Sequence, residues 1–204
     1  MAALGPTLKH EKNAGNCGFV NIAGVDESGR GPLAGPVVAA AVVLKKWRFR
    51  SRIDDCKLLS AKARLEAYYE ITENSDYSIC VINSNIVDKI NILNATKLAM
   101  EKAVAGLSCR AGFLLIDGNM NVDMGLEGKS IIKGDRISLS IASASILAKV
   151  CRDRIMETVH RIYPEYGFRV HKGYATKMHL GALEKYGPTQ FHRRSFLPLK
   201  GKGI

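Results

Sequence analysis

The chain has 204 residues, with 30 Lys and Arg against 19 Asp and Glu and a formal charge of +11. Hydrophobic residues make up 47% and charged residues 24%, which excludes an acidic disordered chain, a collagen-like repeat and a bare coiled coil. A globular chain of this length buries roughly 70% of its unfolded surface, so its core needs no covalent staples.

The positive charge raises the local concentration of polyanions, of which nucleic acid is the commonest in a cell. The five cysteines (Cys17, Cys56, Cys80, Cys109 and Cys151) are odd in number, scattered and never in a CxxC pair. They read as reduced core thiols, not as a zinc ribbon or a disulfide framework. The first 16 residues contain no apolar core of signal-peptide length, and no apolar run reaches the ~20 residues that span a bilayer. A cytoplasmic protein with no membrane partner is expected.

Residues 1–18 are polar, rich in glycine and asparagine, and read as a flexible tail. FVNIAGVDESGRG, from Phe19, reads as a strand ending in two acids and a glycine-rich turn. Pro36–Leu44 (PVVAAAVVL) is a continuous apolar run suited to a buried strand. Ser60 caps an expected helix, SAKARLEAYYEITEN, whose apolar positions recur at helical spacing. Tyr77–Asn83 reads as a strand and residues 85–107 as one helix. Gly112–Asn119 is a short strand ending in Asp117, and Ser130–Asp135 is another ending in Asp135. Residues 138–162 read as a helix with a low-bulk face of Ala142, Ser143, Ala144, Ser145 and Ala148, suited to close packing on a sheet. The last forty residues suggest short helices, with a helical extension from about residue 160. Strands alternating with helices imply an α/β domain over 19–204 with a mixed sheet.

Asp26, Glu27 and Asp117 follow apolar strands directly, and Asp135 follows a shorter one. Sites in open α/β sheets gather at the carboxyl ends of strands. Carboxylates meeting there repel one another unless a cation lies among them. Oxygen donors with few histidines nearby suit Mg2+ or Mn2+ better than zinc. For one such acid a helix cap or a solvated loop is the simpler reading; for three, metal binding is favoured. One geometric difficulty stands: neighbours in a strand face opposite sides, so Asp26 and Glu27 share a site only if the strand bends or ends there.

Three near matches fail. Gly29–Ala34 fits G-x-G-x-x-A, but Asp26 and Glu27 would repel a pyrophosphate and Pro32 lacks an amide N–H. GLEGKS (Gly125–Ser130) resembles the end of a P-loop, yet Asp123 stands where the first glycine belongs. Ser28 is not in a G-x-S-x-G elbow. His171 and His179 are eight apart without the HExxH pattern and suit phosphate or structural contacts.

The segment GVDESGRGPLAGPVVAA (Gly24–Ala40) closely resembles the opening signature of bacterial ribonuclease HII, the type 2 ribonucleases H. Further blocks agree in order: Asp55-Cys56-Lys57, Leu115-Ile116-Asp117-Gly118-Asn119, Lys133-Gly134-Asp135, ASILAKV with Arg152-Asp153, His171-Lys172-Gly173-Tyr174, and Tyr186-Gly187-Pro188 with HRRSF. The resemblance runs from about residue 20 to 200. It implies the ribonuclease H-like α/β fold: a mixed central sheet flanked by helices, with a helical C-terminal extension. It further implies endonucleolytic cleavage of RNA in RNA–DNA hybrids and at single ribonucleotides in duplex DNA, leaving 5′-phosphate and 3′-hydroxyl ends.

Under the resemblance, Asp26, Glu27, Asp117 and Asp135 are the catalytic carboxylates and hold two Mg2+ or Mn2+ ions, with Asp135 joining when substrate and the second ion are present. Two cations ~3.5–4 Å apart can activate a water and stabilise the leaving oxygen, with no histidine base. Gly29, Arg30 and Gly31 read the ribose 2′-hydroxyl, the group that separates RNA from DNA. Tyr174 senses the junction to the following deoxyribonucleotide. Lys57, His171, Lys172 and Arg194 are candidate phosphate contacts. Cys56 stands where the family has serine, Leu58 where lysine is frequent, and Ser143 where alanine is common; Ser143 fits if its hydroxyl bonds back along its helix. A monomer acting on ribonucleotide-bearing duplexes is expected. The rival reading is a non-catalytic nucleic-acid-binding protein of the same fold.

Overall fold

The computed structural model describes residues 5–120 and 125–200. Five strands form one sheet: β1 (Ile22–Ser28), β2 (Val37–Leu44), β3 (Ser75–Ile82), β4 (Phe113–Asp117) and β5 (Gly128–Ile131). Their order is β3-β2-β1-β4-β5. β1 and β3 run antiparallel to β2, whereas β1, β4 and β5 run parallel. The mixed sheet expected from the sequence is therefore present, and β1, β4 and β5 all end on one edge.

The apolar run of β2 is explained by burial on both faces. Val37, Ala39, Ala41 and Val43 pack into one core with Ala95, Ala99, Met100 and Ala103 of α3 (Ser84–Ala105). Val38, Ala40 and Val42 pack into a second with Ala67 and Ile71 of α2 (Ala61–Asn74) and with α4 (Leu139–Ile162). The Ser60 hydroxyl caps α2, accepting from Ala63 N at 3.2 Å.

The small face of α4 is needed at one crossing in particular. A Cβ on Gly24 of β1 would lie 2.2 Å from the Ser140 carbonyl carbon and 2.4 Å from Ile141 N. Helix and strand backbones thus touch, and Ala142, Ser143, Ala144, Ser145 and Ala148 are all buried. The Ser143 hydroxyl donates to Leu139 O at 2.8 Å, the back-bond that lets serine sit there.

Four expectations need correction. The segment read as a flexible tail contains a helix, α1 (Lys9–Asn16). It is held because Glu11 Oε1 accepts from Ser138 Oγ, Ser140 N and Ser140 Oγ at 2.7–2.9 Å, placing an acid at the N-terminus of α4. The helix read as continuous over 85–107 breaks at Asn91 (φ 64°, ψ 165°), whose side chain accepts from Asn94 N at 3.1 Å and caps the helical turns beyond the break. β5 stops at Ile131; Lys133 turns left-handed (φ 57°), and Asp135 rides a 3-10 turn over Gly134–Arg136, not a strand end. Of the thiols, all five free, only Cys56 is buried and Cys17 is exposed.

Beyond α4, helices α5 (Phe168–His171) and α6 (Lys177–Tyr186) close a small core of Met156, Val159, Tyr166, Phe168 and Ala182 around Ala34. This is the helical extension expected from about residue 160. No helix among the described residues is long and apolar enough to cross a membrane.

Candidate active site

The last parallel rung between β1 and β4 pairs Val25 with Ile116, so Asp26 and Asp117 stand on adjacent strands just beyond it, Asp26 still paired with Ala40 of β2 and Asp117 with Ile131 of β5. Strand alternation holds to this point. Ala23 and Val25 face the α3 core, which puts Glu27 on that side, while Gly24 and Asp26 face α4. Asp26 and Glu27 nevertheless line one cleft, because the cleft lies over the rim of the sheet and not against either face. Its volume is about 500 Å³, and Asp117 and Asp135 complete its acidic lining. All four proposed carboxylates are thus brought together.

Three of the four acids are tied through their carboxylates. Asp26 is 5% exposed, and its Oδ1 accepts from Glu27 N at 2.7 Å. The Ser145 hydroxyl of α4 donates to Cys56 Sγ at 3.4 Å and lies close enough to Asp26 to counter part of the rise in its pKa. Asp117 Oδ1 accepts from Gly134 N at 2.6 Å and faces Asp135 N at 3.4 Å, fastening the 3-10 turn to β4. Glu27 Oε1 pairs with Arg30 Nη1 at 3.4 Å.

Burial and mutual repulsion dominate the electrostatics of the acid cluster, with Arg30 and Lys57 opposing them only in part. Burial, then the charges of Glu27 and Asp117, push Asp26 well above the usual carboxylate range. Burial also raises Glu27 against the pull of Arg30, and raises Asp135 with help from Asp117 and Asp55. Glu27 Oε2 is buried with no hydrogen-bond partner. These oxygen donors fit a divalent cation, which would satisfy Glu27 Oε2 and relieve the repulsion. Among the described residues no three His, Cys, Asp or Glu side chains close into a finished ion cage.

Gly29, Arg30, Gly31, Lys57 and Tyr174 line the same cleft. The Tyr174 ring stands over Gly31: a Cβ there would meet Tyr174 Cε1 at 3.7 Å. Lys57 keeps its proton firmly; burial opposes this, but Asp55, Cys56, Asp135 and Asp26 outweigh it. Ser145 and Lys149 also line the cleft. Sequence reading took Ser145 for a packing residue and gave Lys149 no role. Their i, i+4 spacing, continued by Asp153, was the available signal, since it puts them on one helix face.

His171, Lys172 and Arg194 are not among the residues that line this cleft. His171 is 8% exposed, accepts from Gly173 N on Nδ1 at 3.2 Å and reaches Tyr166 O from Nε2 at 2.7 Å. Both ring nitrogens are committed inside the protein. The Lys172 ammonium pairs with Glu157 at 3.2 Å. The Arg194 backbone N–H donates to Asp88 Oδ2 at 2.9 Å.

The near-miss motifs also resolve. Gly29–Ala34 leads into strand β2 and opens no helix, and GKS of GLEGKS begins strand β5. Asp123 lies outside the described residues.

A family model described as ribonuclease HII matches residues 23–198. The chain belongs to the ribonuclease HII family. A ribonuclease HII of Clostridioides difficile (strain 630) is 50% identical over 181 residues, covering 88% of this chain and 71% of that protein. The ribonuclease HII of Syntrophus aciditrophicus (strain SB) is 50% identical over 188 residues, covering 91% and 88%. Among solved structures, ribonuclease H2 from Pyrococcus horikoshii OT3 matches with a TM-score of 0.74 at 23% identity, covering 87% of this chain and 94% of that one. Bst-RNase HIII, solved in complex with Mn2+, matches with a TM-score of 0.65 at 19% identity, covering 89% and 68%. Both share the mixed five-stranded fold of this chain.

Proposed function

We propose that this chain is an endonuclease that hydrolyses the RNA strand of RNA–DNA hybrids and nicks duplex DNA on the 5′ side of embedded ribonucleotides. It acts as a monomer in the cytoplasm, with two Mg2+ or Mn2+ ions, and leaves 5′-phosphate and 3′-hydroxyl ends. The observation that carries this reading is one cleft lined by Asp26, Glu27, Asp117 and Asp135 and flanked by the Gly29–Gly31 turn and Tyr174. Membership of the ribonuclease HII family, and the Mn2+ complex of the related Bst-RNase HIII, support it.

The residues divide the work. Asp26, Glu27 and Asp117 would hold metal, with Asp135 joining from the side of the cleft formed by its 3-10 turn. Bound divalent ions supply charge to the scissile phosphate and lower the pKa of water, which is why no histidine base is required. Gly29–Gly31 brings backbone close to the sugar, where the 2′-hydroxyl distinguishes RNA from DNA. Tyr174 presents a half-exposed ring beside that turn for the next sugar. Lys57 places positive charge beside the path of the phosphates, while Lys149 in the same cleft is paired with Asp153 at 2.7 Å.

The test is a DNA duplex with one ribonucleotide, incubated with Mg2+, Mn2+ or EDTA, with the nick mapped by length and end chemistry. A metal-dependent nick 5′ of the ribonucleotide with a 5′-phosphate is expected. Cleavage that persists in EDTA, or binding without cleavage in every metal, overturns the reading.

A further inference from the structure

Arg193 and Arg152 are both fully buried, and neither forms an ion pair among the described residues. A buried charge is normally paired, because desolvating it is costly. Here the partners are carbonyl oxygens of one loop. Arg193 Nη2 donates to Gly29 O at 2.6 Å and to Gly35 O at 2.9 Å. Its Nη1 donates to Arg30 O at 2.9 Å and its Nε to Gly35 O at 3.0 Å. Arg152 takes Pro36 O and Ala34 O, each at 3.0 Å. The two guanidiniums form a floor under residues 29–36.

A trans peptide places the carbonyl of one residue opposite the N–H of the next. With Gly29 O and Arg30 O drawn inward to Arg193, the N–H groups of Arg30 and Gly31 point the other way. That direction is the cleft, since Gly29, Arg30 and Gly31 line it. No acceptor among the described residues takes either amide. Successive outward N–H groups make a concavity that favours oxygen acceptors. Gly29 (φ 96°) permits the turn, and a Cβ there would strike Arg152 Nε at 2.1 Å.

We infer that Arg193 is a positioning residue: it fixes the carbonyls of Gly29 and Arg30 inward and thereby aims the amides of Arg30 and Gly31 at the ribose. This rests on the reading of the cleft as a ribonucleotide site. The shape of the guanidinium matters as well as its charge. Five N–H donors in a planar fork satisfy three carbonyls at once, whereas an ammonium on a shorter reach does not. Arg152 supplies the contrast: it braces the same loop without touching Gly29 O or Arg30 O.

The experiment uses the full chain carrying Asp117→Asn, so that substrate survives, and measures affinity in Mg2+ for two duplexes, one with a single ribonucleotide and one all DNA. Adding Arg193→Lys should cut the preference for the ribonucleotide duplex roughly tenfold while all-DNA affinity is kept. Adding Arg152→Lys should lower the melting temperature yet leave the preference intact. An unchanged preference in folded Arg193→Lys overturns the inference alone, as does equal loss in Arg152→Lys. A parent with no ribonucleotide preference removes the ribose-reading function and the inference with it. If Arg193→Lys does not fold, amide hydrogen exchange on the parent decides. Arg30 and Gly31 N–H should gain protection with the ribonucleotide duplex and not with DNA; equal protection overturns the proposal.

Discussion

His179 and His192 meet Nε2 to Nε2 at 2.9 Å inside the C-terminal extension, and their surroundings permit one arrangement of protons. Thr189 N–H donates to His192 Nδ1 at 2.9 Å, so the His192 proton sits on Nε2. His179 Nδ1 faces the Tyr174 carbonyl at 2.9 Å and must donate to it. His179 Nε2 therefore accepts from His192, and both rings are neutral. Through this relay the chain after α6 holds the backbone of the tyrosine beside the cleft. His171 stacks on His179 with ring centroids 4.6 Å apart, so a third neutral ring completes the group.

The relay makes stability depend on pH. Burial, with the nearby His179, pushes His192 down to about 4 from its usual 6.5, and burial lowers His179 and His171 too. Between those pH values the unfolded chain binds more protons than the folded one. The stability contributed is complete above pH 6.5 and is lost as pH falls toward 4, on the order of 3 kcal/mol for His192. The cleft carboxylates, raised in the fold, act in the opposite sense, so the comparison must be with a variant. In urea titrations from pH 7.5 to 4.5, the advantage of the parent over His192→Gln should shrink as pH falls. Parallel curves would show that the relay does not titrate on unfolding.

The crossing of β1 and α4 predicts an unequal response to two glycine-to-alanine changes. At Gly24 an added Cβ meets helix backbone at 2.2–2.5 Å, which no rotamer change can relieve. Gly24→Ala should cost about 3 kcal/mol or more by overpacking, and it should pull Ser145 away from Asp26, lowering cleavage in whatever folds. Gly15, within α1, has nothing within 4 Å of its added Cβ. Gly15→Ala should be neutral or add about 0.5–1 kcal/mol through helix propensity. Chemical unfolding of both variants checks the pair.

Much of this site could be read along the chain because each acid is announced by the apolar run before it. Asp26 follows Ala23–Val25, and Asp117 follows Leu114–Ile116, both buried in the sheet. What escaped depends on distant partners. Glu11 became a cap for α4 only because residues 127–129 positions away fold against it. Asn91 breaks its helix by backbone geometry that periodicity does not carry. The resemblance alone suggests a phosphate contact for His171; its burial against Tyr166 and His179 is a tertiary fact. Arg193 sits in a basic run that reads as surface, yet it is fully buried beneath a loop some 160 residues earlier.

Metal should report on the acid cluster before any chemistry occurs. An ion that binds only the folded chain stabilises it by mass action, by about 2.7 kcal/mol at a concentration 100 times its Kd. Adding Mn2+ or Mg2+ to EDTA-treated protein should raise the melting temperature, and Asp117→Asn should reduce that rise. The same variant should lose cleavage by more than about a hundredfold, the upper range for disturbing outer-shell partners of a metal, while duplex binding is largely kept. A full thermal shift in Asp117→Asn would show that Asp117 is not a ligand.

Salt separates the lysines that face the duplex from those already engaged. Lys57 lines the cleft with its charge secured by surrounding carboxylates, whereas the Lys172 ammonium pairs with Glu157 at 3.2 Å. Binding that releases counterions weakens linearly on a log–log plot against salt, with a slope set by the number of phosphates neutralised. In the Asp117→Asn background, Lys57→Ala should flatten that slope by about 1, equally for ribonucleotide-bearing and all-DNA duplexes, because a phosphate contact carries no base or sugar information. Lys172→Ala should leave the slope where it was, since its ammonium is held on the protein and not on the nucleic acid. A slope that flattens for Lys172→Ala and not for Lys57→Ala would place the phosphate track on the α5 side of the molecule instead of along the cleft.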